Sequence, residues 1–326
     1  MRPFTYNRPQ NIAQAISGKN ENTQFIAGGT NLLDLMKKHI AQPETLVEVQ
    51  NILSDAIQTT ADGLQIGAMA RNSAVATHTE VLARFPLVAK AILAGASPQI
   101  RNMASTAGNL MQRTRCSYFY DAALPCNKRK PGSGCGALKG NNHNSAIIGY
   151  SEQCVAVHPS DLCIALAALD AKVYITANNG SKTTLPFDEF HRLPGDTPWL
   201  DNNLPGNALI DSVFIPFNSF EKNCAYVKLR DRDSYAFALI SVAAALQLDG
   251  SRIVNARLAS GGVAHKPWRW YAAEEFLKGR KANARSFRKA ADIIAGEVKP
   301  LEHNQFKVPM LEGAVVTALQ NCLNAL

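Results

Sequence analysis

Four of the chain's seven cysteines, Cys116, Cys126, Cys135 and Cys154, fall within one stretch of 39 residues, with nine, eight and eighteen residues between them. Pro125, Pro131, Gly132, Gly134, Gly136, Gly140 and Gly149 lie in the same stretch, so it reads as loop. A loop of this length inside a compact domain needs something to hold it. Bonds from thiolates to an inorganic centre supply that order, and such a centre suggests electron transfer. A four-iron cubane takes four thiolates, and flexible spacers let them converge without a close cysteine pair. Structural zinc is an alternative, although its usual short pairs are absent. Four reduced, unligated thiols are another. An odd number of cysteines argues against a disulfide framework. Cys163, Cys224 and Cys322 sit in apolar contexts, where free cysteine behaves as a small buried hydrophobe.

The chain of 326 residues is long enough for two or three modest domains with a real core. Its composition is ordinarily globular, 46% hydrophobic and 18% charged, with a mean hydropathy of −0.11. No apolar run approaches the roughly 20 residues of a membrane span. The opening Met1-Arg2-Pro3-Phe4-Thr5-Tyr6 lacks the pattern of a signal peptide, so the chain is expected to be made as a soluble cytoplasmic protein, free to leave attached to another. Net charge is +8, with basic residues concentrated at 113–139 and 278–289. The second group reads as a solvated helical face or a partner contact. No nucleic-acid-binding motif accompanies it, which leaves a basic nucleic-acid-binding protein with a structural cluster as an alternative only. The seven histidines are scattered singly and no hydrolase constellation is present, so no catalytic residue is assigned.

Apolar periodicity predicts an α+β chain. The opening reads as a βαβ unit, with helices at 12–16 and 31–38 and strands at 23–26 and 45–49. A second region starts near Leu64, with a helix at 81–93 and strands at 172–176 and 208–215. Beyond residue 219 the pattern changes. Strands are expected at 224–229, 243–248 and 253–259, a small-residue helix at 236–244 overlaps the second of them, and helices are expected at 267–277, 286–296 and 312–323. The domains are therefore 1–218, divided into 1–56 and 57–218 with an insertion at 113–157, and 219–326.

Two glycine-bearing loops stand out. Phe25-Ile26-Ala27-Gly28-Gly29-Thr30-Asn31-Leu32 runs from strand to helix, where glycine lets backbone approach an anion and free N–H groups bind phosphate. Its glycines do not have the GxGxxG spacing of a dinucleotide site. Residues 100–110, Ile-Arg-Asn-Met-Ala-Ser-Thr-Ala-Gly-Asn-Leu, suit a second tight loop. Each alone also reads as an ordinary turn. Together with Pro159-Ser160-Asp161, and in this order, they resemble the FAD-binding segments of the molybdenum hydroxylases, the family of xanthine dehydrogenase, carbon monoxide dehydrogenase and aldehyde oxidoreductases. Tyr226 to Arg230 and Gly261 to Ala264 resemble that family's C-terminal flavoprotein domain. Asn31 stands where the family often has Asp, and Ala107 where a second Gly is common.

The resemblance implies a two-subdomain FAD-binding domain of the vanillyl-alcohol-oxidase (PCMH) type followed by an α+β flavoprotein domain. It places Ile26, Ala27, Gly28, Gly29, Thr30, Asn31, Leu32 and Leu33 at the FAD pyrophosphate. Thr106, Gly108, Asn109, Ser160 and Asp161 would hold ribityl and phosphate groups, and Ile215 and Lys228 would lie near the isoalloxazine. From the residues alone, Ile215 also reads as the end of a core strand, Lys228 as an exposed strand residue, and Asp161 as the cap of a following helix.

An insertion with four cysteines resembles the branch of the family that includes 4-hydroxybenzoyl-CoA reductases and periplasmic aldehyde oxidoreductases, where it carries a [4Fe–4S] cluster on Cys116, Cys126, Cys135 and Cys154. Arg113, Arg115, Lys128, Arg129, Lys130 and Lys139 then stabilise an anionic centre and raise its potential, unless they are solvated surface; only Asp121 is a nearby carboxylate in sequence. The resemblance further implies a large molybdenum-cofactor subunit that oxidises an aldehyde to a carboxylate. A small subunit with two [2Fe–2S] clusters would relay electrons to FAD here, and FAD would pass them to an external acceptor other than NAD. In the reductase alternative electrons run the other way. A periplasmic location is expected, reached by export of the folded complex on a partner's twin-arginine signal, with the cytoplasm as the alternative.

Overall fold

The computed structural model describes residues 1–177 and 179–324. The N-terminal part is a small parallel sheet of β1 (Thr5–Asn7), β2 (Thr23–Ile26) and β3 (Thr45–Glu48) in the order β1-β3-β2. Helices Ile12–Ser17 and Leu32–Lys37 make its crossovers. Ile26, Met36 and Leu46 form its own small core.

The next sheet has five strands, β4 (Ile57–Thr59), β5 (Gly63–Gly67), β6 (Lys172–Ala177), β7 (Lys182–Pro186) and β8 (Ala208–Pro216). They pair antiparallel in the order β4-β5-β8-β6-β7. Helices Pro86–Ala94 and Asp161–Ala168 contribute to the same core; in the second every residue from Leu162 to Ala168 is buried. The single helix expected at 81–93 is two helices, Thr79–Arg84 and Pro86–Ala94. The break falls at Phe85 because Pro86 has no N–H for a continuous helix and restricts the residue before it.

The C-terminal part is a sheet of β9 (Cys224–Leu229), β10 (Ile240–Asp249), β11 (Arg252–Gly261) and β12 (Trp268–Arg269), ordered β12-β11-β10-β9 and antiparallel throughout. Helices Tyr271–Leu277, Ala284–Glu297 and Lys307–Leu323 share its core. The helix expected at 236–244 does not form. In β10, Ile240, Val242, Ala244 and Leu246 face the helical core, while Ala243 and Ala245 face the core of the five-stranded part. Small residues there let two cores approach a strand buried on both sides, and that smallness imitated a helix. Residues 268–269 extend the sheet, so the helix expected from 267 starts at Tyr271. The basic stretch at 278–289 is likewise helical only from Ala284.

Candidate functional site

The first loop leaves β2 with Gly29 at φ +71° and enters helix Leu32–Lys37. A Cβ on Gly28 would stand 1.9 Å from the carbonyl oxygen of Met103, so the two glycine-bearing loops are in backbone contact. Ala27 to Leu32 are half-buried, which leaves their backbone open on one side, and Leu33 is exposed. Ile26 is buried in the core of the first sheet. The Asn31 side chain accepts a hydrogen bond from the Arg113 N–H at 3.0 Å, while its buried Nδ2 has no partner. A buried amide that lacks an acceptor beside an open glycine backbone fits a phosphate oxygen.

In the second loop Ser105 caps helix Thr106–Leu110 by accepting from the Gly108 N–H. Thr106 is buried and its hydroxyl donates to Ala70 O at 2.9 Å, so its donor is already used within the protein. Gly108 is exposed and Asn109 half-buried. Ser160 caps helix Asp161–Ala168 and its hydroxyl donates to the Asn109 side-chain oxygen. All three segments are thus joined.

Asp161 then carries the chain of contacts into the C-terminal domain. Its carboxylate accepts from the Tyr226 hydroxyl at 2.7 Å and from Lys228 Nζ at 2.8 Å, and Lys228 also donates to Ala94 O. The Lys228 side chain is 4% exposed. It is therefore a buried ion pair between domains, and the reading of an exposed strand residue is corrected. Ile215 is fully buried within β8, opposite Leu64, as the end of a core strand.

The four loop cysteines converge. Cys116, Cys126, Cys135 and Cys154 line one small cavity together with Thr114, Lys128 and Gln153. Cys126 and Cys135 face each other across a short antiparallel turn closed by Asn127 N–H to Gly134 O and Gly136 N–H to Pro125 O. Burial pushes the Cys154 thiol up to about 12 and raises Cys116, with Lys128 pulling Cys154 back. Apart from a bound cation these groups are protonated thiols, and metal binding would release their protons.

The insertion is anchored at both ends. Its entry is held at Asn31 through Arg113, and Phe119 is buried against Leu35 and Cys126. Its exit pairs Ile147 and Ile148 N–H groups with Val263 O, and buried Lys307 donates to Ser145 O and Gly262 O. The six expected cations have distinct fates. Arg129 donates to the carbonyls of Tyr118, Phe119, Ala122 and Leu124, Arg115 binds Tyr120 and Gln112, and Lys130 and Lys139 are exposed. Lys128 and Arg113 share Asp201, at 2.6 and 2.8 Å. The expectation that Asp121 was the carboxylate near these cations is corrected, because folding brings in Asp201 and, at 3.8 Å from Arg115, Asp34. Asp201 was missed in the sequence. A lysine destined for burial requires a carboxylate, but nothing local marks which one.

Three histidines are also not scattered. The rings of His158 and His191 are 4.4 Å apart, and His265 is electrostatically coupled to both. His191 Nε2–H donates to Leu110 O at 2.9 Å, while Nδ1 of His191 and Nε2 of His158 and His265 have no partner. Burial lowers His191 and His265 to about 4. Among the described residues, His158, Cys163 and His191 are grouped with ligand-type atoms all within 4.8 Å of one another.

Two glycine-bearing loops in backbone contact, a serine-capped helix joined to them and a four-stranded C-terminal sheet suit a flavoprotein of two domains, as two family models bear out. Residues 2–218 match the family model of the FAD binding domain in molybdopterin dehydrogenase, and residues 225–320 that of the CO dehydrogenase flavoprotein C-terminal domain. The chain belongs to this family, the FAD-binding medium subunits of the molybdenum hydroxylases, and is the flavin subunit of an oxidoreductase of that kind. It is 44% identical over 323 residues to the aldehyde oxidoreductase FAD-binding subunit PaoB of Escherichia coli K12, covering 98% of each chain. It is 24% identical over 300 residues to the glyceraldehyde dehydrogenase medium chain of Sulfolobus acidocaldarius, covering 91% of this chain and 89% of that one. A solved carbon monoxide dehydrogenase from Hydrogenophaga pseudoflava shares the fold, with a TM-score of 0.77, 23% identity and coverage of 99% and 98%.

Proposed function

We propose that the chain is the electron-transfer subunit of a molybdenum-dependent aldehyde oxidoreductase, with FAD on the joined loops and a [4Fe–4S] cluster in the cysteine cavity. The observation that carries the cluster is the convergence of four sequence-distant cysteines on one cavity beside a buried lysine. The absence of a close cysteine pair in the sequence favours a cubane over zinc. FAD, when bound, supplies the exchange between single electrons and an electron pair. Gly28, Gly29 and Thr30 would present backbone N–H groups to the pyrophosphate, and Asn31 Nδ2 would donate to it. Asn109 and Ser160 would fix the ribityl side, and the Asp161–Lys228 pair would close the pocket from the second domain.

The likeness to an aldehyde oxidoreductase subunit across nearly the whole chain supports aldehyde oxidation over the reductive direction. It also supports assembly with large and small partner subunits; in our reading the large one carries a molybdenum cofactor, the small one two [2Fe–2S] clusters, and the acceptor is not NAD. Purifying the complex and measuring flavin, iron and molybdenum per chain tests the whole reading. Cys126→Ser and Cys135→Ser should lower iron, while Cys163→Ser, in the core, should not. Equal iron in all three variants rejects the ligand assignment.

A further inference from the structure

We propose that Lys128 and Asp201 act as a charge pair of opposite influence on the reduction potential of the centre held by the four cysteines. The inference rests on the cluster reading above. Of the six cations in the insertion, Lys128 alone is both buried, with 1% of its side chain exposed, and part of the cavity wall. Its ammonium is held by Asp201 Oδ1 at 2.6 Å and Pro198 O at 2.7 Å, so it cannot swing away from the cavity. The other oxygen of Asp201 takes Arg113 Nε at 2.8 Å.

One carboxylate shared between two cations leaves a positive charge uncompensated beside four thiolates. Reduction adds one electron to the centre, with no bond made or broken and no proton required. A fixed cation stabilises the more negative, reduced form most and so raises the potential, while the carboxylate behind it does the reverse. In this poorly hydrated site the effect is not screened as it would be for exposed Lys130 or Lys139. Arg113 also donates its backbone N–H to Asn31 in the flavin loop, so the same carboxylate positions the entry to both sites. Lys128 and Asp201 are positioning and tuning residues, not ligands.

The test is a potentiometric titration of the intact complex with dithionite and mediators, followed by low-temperature EPR. The signal missing from the Cys126→Ser complex identifies this centre. Lys128→Met should lower its potential, disfavouring reduction about tenfold, or 59 mV for one electron. Asp201→Asn, which keeps the shape and one of the two acceptor oxygens while removing the charge, should raise it, and Lys128→Arg should restore a value near that of the unaltered complex. Opposite signs for the two charge removals distinguish field from packing. Shifts of the same sign, or no shift in either variant, overturn the proposal. Should Lys128→Met not assemble, Asp201→Asn decides alone, and an unchanged or lowered potential overturns it. An unaltered complex with no signal that depends on Cys126 instead refutes the cluster reading.

Discussion

Gly28→Ala should empty the flavin site while leaving the iron in place. The added Cβ would lie 1.9 Å from the Met103 carbonyl oxygen and 2.7 Å from its carbon. A carbon–oxygen contact settles no closer than about 3.3 Å, so the two loops must part by more than about 1 Å. Both partners are backbone, and no rotamer relieves the clash. Separation withdraws the N–H groups of the first loop from the position fixed by the second. If two such hydrogen bonds to a charged phosphate are lost, at about 1.5–3 kcal/mol each, binding weakens by about 3–6 kcal/mol, or roughly a hundred- to ten-thousand-fold. Gly29→Ala should be milder. Its φ of +71° costs a side chain about 1–2 kcal/mol, but the nearest atom, at 3.1 Å, belongs to the movable Leu33 side chain. Gly206→Ala, where a Cβ meets nothing within 4 Å, is the control. Flavin absorbance per chain after dialysis, with iron measured on the same samples, reads the result. Full flavin occupancy in Gly28→Ala would refute the close-approach argument.

Asp161→Asn leaves Lys228 buried without its counter-charge and should cost about 3–5 kcal/mol, seen as a Tm lowered by roughly 6–20 °C; a shift below about 2 °C would show that the pair is not holding the domains. His191 and His265 titrate near 4 when folded, against 6.5 unfolded, so the unfolded chain binds more protons between those values. Their stabilisation is present above pH 6.5 and is lost as pH falls toward 4, so the urea midpoint should decline across that window and less steeply in His265→Gln. We also predict that the chain reaches the periplasm only with an exported iron–sulfur partner. Fractionation that finds it in the cytoplasm while the intact partner is exported would overturn this.

The βαβ opening and several later strands were legible as short apolar runs bounded by polar and turn residues. β10 was legible only in part, at 243–248, since a strand covered on both faces has no polar side to mark its period, and its first half suits a helix equally well. The two glycine-bearing loops were marked in the sequence by their glycines, and the structure brings them into backbone contact at Gly28 and Met103. Lys228 illustrates the opposite case. A lysine on an alternating strand looks solvent-facing, and only the docking of helix Asp161–Ala168 against β10 and β11 turns it into half of a buried pair. Asp201 and the grouping of His158, His191 and His265 were invisible for the same reason: each arises from chain segments tens of residues apart.

The placement of the insertion gives it a role beyond carrying ligands. It leaves the fold at Arg113, held by Asn31, and returns just before Ser160, which is hydrogen-bonded to Asn109. The proposed flavin site therefore borders both stubs of the insertion. The loop between them has short helices at Ser117–Tyr120 and Gly136–Lys139 and little regular structure besides, so the proposed centre on the four thiols would add order to what the anchoring contacts supply. Loss of that centre would free the stubs and raise the entropy cost of holding FAD. Linkage makes the relation mutual, with bound flavin favouring retention of the centre by the same free energy. The direction follows from connectivity alone: if FAD affinity proved equal in iron-loaded and iron-free complexes, the anchors at Asn31 and Val263 would have to order the stubs without the thiols.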